Sequence, residues 1–151
     1  MNKPKTAQVI LAIDYGSKST GLAVASGVRI SKPLKSLDST ENQNLIDGIK
    51  TIIEDLKVDL VVIGQPLNMR GETSQQSLIV EKFKLNLGQQ ITQPIIFQAE
   101  TDTTNLVKQE LGIDSVKLKS AKESGQIDAL AAARILQDYL DQYGFSIPKN
   151  I

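Results

Sequence analysis

Val9-Ile10-Leu11-Ala12-Ile13-Asp14-Tyr15-Gly16 is the stretch that decides how this chain folds. Its apolar half reads as a buried strand. The run then ends on an aspartate and a turn, and a second apolar stretch, Gly21-Leu22-Ala23-Val24-Ala25, follows. Far along the chain a carboxylate again enters an apolar setting, in Gln126-Ile127-Asp128-Ala129-Leu130-Ala131-Ala132-Ala133-Arg134-Ile135-Leu136. A buried carboxylate costs several kcal/mol unless it is paired or holds a metal. Two of them, remote in sequence, point to one shared cation.

Working outward, residues 8–14 and 21–27 read as a strand pair across a polar turn. Val28 to Leu37 is a third strand, and Pro33 assigns it to an edge. A helix is expected from Asn42 to Lys57, with Leu45, Ile49, Ile52, Ile53 and Leu56 on one stripe. Asp59 to Gly64 suits a strand covered on both faces. Thr73 and Gln76 have capping-box spacing for a second helix, whose inward side would be Ile79, Val80, Phe83 and Leu87. Pro94 to Gln98 is a further strand, and Asp102 caps a helix closing at Gly112. A last helix is expected from Glu123 to Leu140, and the tail from Phe145 to Ile151 is expected to fray. This order predicts an α/β fold, a mixed five-stranded sheet flanked by helices.

The length of 151 residues fits one domain, 1–151, with a real core. Lysine plus arginine and aspartate plus glutamate each number 17, so the net charge is zero. That argues against a surface that is a nucleic-acid clamp throughout, while leaving room for a local basic patch. No stretch has the length of a membrane span, and the first residues do not read as a signal peptide, so a cytoplasmic location is expected. The chain has no Cys and no His. Thiol nucleophiles, zinc-thiolate sites, imidazole bases and Ser-His-Asp triads are therefore excluded. An all-carboxylate site favours hard cations bound by oxygen, Mg²⁺ or Mn²⁺.

Asp128 shares a helical stripe with Ala131, Ala132, Ile135 and Tyr139. With a helix starting at Glu123 it lies past the first turn, where the helix dipole explains it poorly; a buried Asp–Lys pair is the plainer structural alternative. For Asp14 that alternative is a turn aspartate capping local N–H groups. Gly16 and Gly21 would permit tight turns and the close approach of a ligand. Glu100 sits just past its strand, and with Asp14 lies at the strand ends where sites on such sheets form. Asp102 is better explained as a cap. Lys18-Ser19-Thr20 lacks the glycine that a phosphate loop requires. Lys117, Lys119 and Lys122 are either solvated surface or contacts to a phosphate backbone. Asp14, Glu100 and Asp128 together suffice to hold one or two Mg²⁺ ions, the machinery of phosphodiester hydrolysis.

The motifs resemble those of the YqgF/RuvX family, described as Holliday-junction resolvases and as nucleases maturing pre-16S ribosomal RNA. Ile13 to Ala23 is similar to the family's opening D-x-G-x-K-R-I-G-x-A, and Gly64 to Gly71 to its G-x-P-x-x-x-x-G loop. Glu100, Thr103 and Thr104 fall on its D-E-R-x-[ST]-T segment, and Ile127 to Leu140 on its closing I-D-x-x-A-A…I-L-Q-x-Y-L. The resemblance spans Val9 to Tyr143 and implies an RNase H-like fold. It also implies catalysis by Asp14, Glu100 and Asp128 with a divalent metal on precursor rRNA or branched DNA. Ser19 stands where the family has arginine, and Ala99-Glu100-Thr101 where it has D-E-R. Lys18, Arg70, Lys119 and Lys122 remain as candidate phosphate contacts.

Three functions follow. The first is a metal-dependent nuclease. The second is a binding module of the same fold with weakened catalysis, motivated by the missing arginines and zero net charge. The third is an actin-like kinase or ATPase, which begins with a similar strand-turn-strand but needs a second domain that this length does not hold.

Overall fold

The computed structural model describes residues 7–66, 75–100 and 126–147, without the side chains of Glu100 and Gln126. The opening run becomes β1, Val9–Asp14, followed by β2, Ser19–Ser26, and β3, Lys32–Asp38. Helix α1, Asn42–Leu56, leads to β4, Leu60–Pro66; helix α2, Gln75–Gly88, leads to β5, Ile95–Glu100. Helix α3 spans Gln126–Tyr143. The five strands form one sheet in the order β3-β2-β1-β4-β5. The β2–β1 and β2–β3 pairs are antiparallel, while β4 runs parallel to β1 and β5 parallel to β4. A hairpin supplies the antiparallel neighbours; helical crossovers supply the parallel ones. This is the mixed five-stranded, helix-flanked sheet expected from the sequence.

Side chains alternate across the sheet and so feed two cores. Leu11, Ile13, Val61 and Ile63 pack with Leu45, Ile46 and Ile49 of α1 and Val80, Phe83 and Leu87 of α2. Ile10, Ala12, Leu60 and Val62 pack with Ala132, Ile135, Leu136 and Tyr139 of α3 on the opposite face. Both central strands are buried on both sides, which is why they read as unbroken apolar runs. Each fully buried Leu or Ile contributes roughly 1.5–3 kcal/mol.

Several expectations shift. Strand β2 begins at Ser19, two residues early, so Ser19 and Thr20 belong to the sheet and not to the turn. Strand β3 begins only at Lys32, and its register slips opposite Leu22 and Ala23, beside Pro33, as an edge proline permits. The preceding residues are tied instead to α3. Ser31 Oγ donates to the Ala133 carbonyl at 2.7 Å, and Gln137 Nε2 donates to the Arg29 carbonyl at 3.1 Å. Helix α1 stops at Leu56 because Lys57 turns left-handed, φ 55°, and its N–H reaches back to the Ile53 and Glu54 carbonyls.

On α2, Ile79 is 45% exposed, against the expectation that it faces inward. The buried row is Ser77, Val80, Phe83 and Leu87, and that spacing rotates Ile79 outward. The Thr73 cap and the Asp102–Gly112 helix lie outside the described residues. The expected fraying does not hold over residues 145–147. Phe145 and Ile147 pack on the α3-side core, and the Ala7 N–H donates to the Phe145 carbonyl at 2.7 Å. Among the described residues no helix is long and apolar enough to cross a membrane.

Tyr139 locks α3 to this tail. Its ring is buried, and its hydroxyl donates to the Ser146 carbonyl at 2.6 Å. Burial, aided by the neighbouring Tyr143, pushes the phenol up to about 12. The neutral phenol is therefore the form that the fold prefers. Its contribution is intact below the ordinary tyrosine value near 10 and is lost as pH rises from there through about 12. Denaturant unfolding across that window should show falling stability, and Tyr139→Phe should flatten the fall. An unchanged slope in the variant would contradict this assignment.

Candidate functional site

Asp14 is the last residue of β1 and has the parity of Ile10 and Ala12, so strand alternation puts it on the α3 face of the sheet. It is half-buried. In the antiparallel ladder its partner is Gly21 of β2. Paired Cα atoms in such a ladder stand about 4.5–5.5 Å apart.

Gly21 is where α3 touches down. A Cβ built on it would overlap the carbonyl of Asp128 and crowd the Ala129 nitrogen. Only a residue without a side chain lets the helix backbone come so close. The first turn of α3 thus lies on β2 beside the partner of Asp14, and two carboxylate-bearing residues from opposite ends of the chain meet at one corner. The space at Gly21 is taken by the backbone of α3, not by a ligand as expected. Gly16 does serve a tight turn, its Cβ position being blocked by the Ser19 carbonyl.

Asp128 is half-buried, at the rim of the apolar stripe. Ala131, Ala132, Ile135 and Tyr139 below it are buried as expected. Asp128 lies in the first turn of the helix as described, Gln126–Tyr143; Glu123, the expected start, lies outside the described residues. The Ser19 hydroxyl donates to Asp128 Oδ2 at 2.5 Å. Among the described residues this carboxylate is held by a hydroxyl; Lys117, Lys119 and Lys122, the lysines near it in sequence, lie outside the described residues. Ser19 stands where the family motif has arginine, and nothing in the local sequence signals a partner 109 residues away.

Glu100 ends β5 opposite Pro66 of β4. The strands of Asp14 and Glu100 are not neighbours, because β4 runs between them. Gly64 occupies β4 next to this corner, in register with Gln98, and contributes no side chain there. The Glu100 side chain is outside the described set, and among the described residues no group of three acidic side chains forms.

Lys18 is exposed in the β1–β2 turn. Its carbonyl accepts from the Ser39 N–H at 2.9 Å, and the buried Thr20 and Ser39 hydroxyls pair at 2.6 Å, so the turn is braced against the β3–α1 junction. Tyr15 closes the other side by stacking on Phe83, with centroids 4.4 Å apart. Asp38 is the ladder partner of Ser19 on β3; the Thr40 hydroxyl and N–H hold its carboxyl below the usual range. Arg70, Lys117, Lys119 and Lys122 lie outside the described residues.

The family model described as RuvX, Holliday junction resolvase, matches residues 8–142. A protein of Chloroflexus aurantiacus, provisionally named a pre-16S rRNA nuclease, is 36% identical over 135 residues, covering 89% of this chain and 87% of its own. A Rickettsia canadensis protein of the same provisional name is 38% identical over 133 residues, covering 87% and 85%. The fold is shared with Thermus thermophilus RuvC solved with a Holliday junction substrate, at TM-score 0.52 and 17% identity over 93% of this chain and 99% of that one. It is also shared with the fowlpox virus Holliday junction resolvase, at TM-score 0.55 and 14% identity over 89% and 99%.

The Gly21 contact is directly testable. Gly21→Ala should cost about 1–3 kcal/mol, the usual range for overpacking, because backbone and not a flexible side chain fills the space. Urea unfolding reads this out. A change under about 0.5 kcal/mol, the level of an ordinary surface substitution, would show that α3 does not seat on β2 as described.

Proposed function

This chain belongs to the RuvX family of Holliday junction resolvases, and from that premise we propose that it is a divalent-metal-dependent nuclease maturing the 5′ end of pre-16S rRNA. The observation that carries the reading is the meeting of Asp14 and Asp128 through Gly21. Two acidic residues from different elements share one corner at the carboxyl end of β1, where sites on sheets of this kind gather.

The donor set fits a hard cation. Without Cys or His, every strong ligand is an oxygen. Asp14, Asp128 and Glu100 are the residues that would hold it. Glu100 ends β5, and β1, β4 and β5 run parallel, so its backbone lies at the same end of the sheet as Asp14, which supports the third assignment. A bound divalent ion supplies activation of the attacking water and neutralisation of charge at the scissile phosphate. The chain's own part is to hold these acids in place: the Gly21 contact and the Ser19 hydroxyl fix Asp128, and the braced β1–β2 turn fixes Asp14. Lys18, exposed beside them, contacts a backbone phosphate. Arg70, Lys119 and Lys122 extend that contact. The reading takes the chain as one domain acting in the cytoplasm, on precursor rRNA or branched DNA.

A weakened nuclease that chiefly binds is the second reading, favoured by the serine and threonine at positions 19 and 101 and by the zero net charge. Cleavage of a precursor rRNA and of a four-way junction with Mg²⁺ or Mn²⁺ separates the two. Asp14→Asn, Glu100→Gln and Asp128→Asn should each reduce cleavage by about 10²-fold or more, as loss of a main electrostatic element does, while leaving low-salt binding in place. Full activity in any one of them removes that residue from the site. Binding without cleavage in the unmodified protein selects the second reading.

A further inference from the structure

We propose that Ser19 is a positioning residue for the cation site, acting through Asp128. The inference rests on the reading of Asp128 as a ligand, and concerns what holds that ligand in place. Ser19 opens β2, and its side chain has the parity of Gly21 and Ala23, so it rises from the α3 face of the sheet. Its hydroxyl meets Asp128 Oδ2 at 2.5 Å, the short end of the range for a hydroxyl donating to a carboxylate.

The geometry makes this bond more than a generic surface contact. Gly21, two residues along the same strand, already fixes the backbone of Asp128 against β2. A fixed backbone leaves the side-chain torsions of Asp128 as its remaining freedom, and the Ser19 bond removes it. Oδ2 is committed to the sheet, and Oδ1 is the oxygen that would face a cation shared with Asp14. A hydroxyl does this without adding positive charge, so it orients the carboxylate without competing with a cation for it. An arginine at this position would bring its own charge to the carboxylate. The serine is therefore a neutral brace for the carboxylate.

Partners that orient metal ligands typically change metal affinity by about 10–100-fold when removed. Calorimetric titration of the full chain with Mn²⁺ alone, without nucleic acid, tests this. Ser19→Ala should weaken Mn²⁺ binding by about tenfold or more, and Ser19→Thr, which keeps the hydroxyl, should bind within a fewfold of the unmodified chain. Ser19→Val has nearly the shape of the threonine variant without its hydroxyl and should bind like Ser19→Ala; it also serves if the alanine variant folds poorly. In an Asp128→Asn background, Ser19→Ala should change nothing further.

Mn²⁺ binding in the unmodified chain that Asp14→Asn and Asp128→Asn remove establishes the site. If the Ser19→Ala and Ser19→Val proteins then bind Mn²⁺ as tightly as the unmodified chain, Ser19 is not a positioning residue, and the cation site stands without it. If the unmodified chain shows no Mn²⁺ binding dependent on Asp14 and Asp128, the reading of the site fails and takes this inference with it.

Discussion

The close packing of the first turn of α3 on Gly21 is the constraint from which the rest of the corner follows. The backbone of Asp128 lies where a side chain on residue 21 would be, so helix and sheet are at contact distance there. Because Gly21 is the ladder partner of Asp14, the same contact sets the relation between two acids remote in the chain. Below it, Ala132 against Ala12 and Ala23 continues the seam with small side chains. Larger residues along that seam would lift the helix off the sheet, and the two acids would part.

Two cores divide the labour. The face carrying α1 and α2 is built from large aliphatic side chains and Phe83, and gives the sheet its bulk of buried surface. The face carrying α3 is richer in alanine and sets a distance. The loops at the carboxyl end of β1 are braced from both sides, by Ser39 pairing with Thr20 and by Tyr15 stacking on Phe83. The proposed site needs its acids held at fixed positions on a rigid frame, since a site loosened by an ångström loses most of its advantage.

Strands β1 and β4 were legible in the sequence because burial on both faces leaves an unbroken apolar run. The edge position of β3 was legible from Pro33. The orientation of α2 was not: Leu78, Ile79 and Leu85 are exposed while Ser77 is buried, so its apolar residues do not mark its inward face. At the site, the residue types Asp14, Glu100 and Asp128 could be chosen from composition and motif. Their arrangement could not, since neither the Gly21–Asp128 contact nor the Ser19 hydrogen bond is local in sequence. Gly21 read as room for a ligand and Ser19 as an absent arginine. Both turn out to hold Asp128, and tertiary packing alone assigns them that role.

The central claim is that Asp14, Glu100 and Asp128 converge on one divalent cation. A crystal structure of the unmodified chain grown with Mn²⁺, with the ion located by its anomalous scattering, measures this most directly. The account predicts an anomalous peak within coordinating distance of carboxylate oxygens from all three residues. A peak bound elsewhere, or a Glu100 carboxylate turned away from an ion held by the two aspartates, would contradict it.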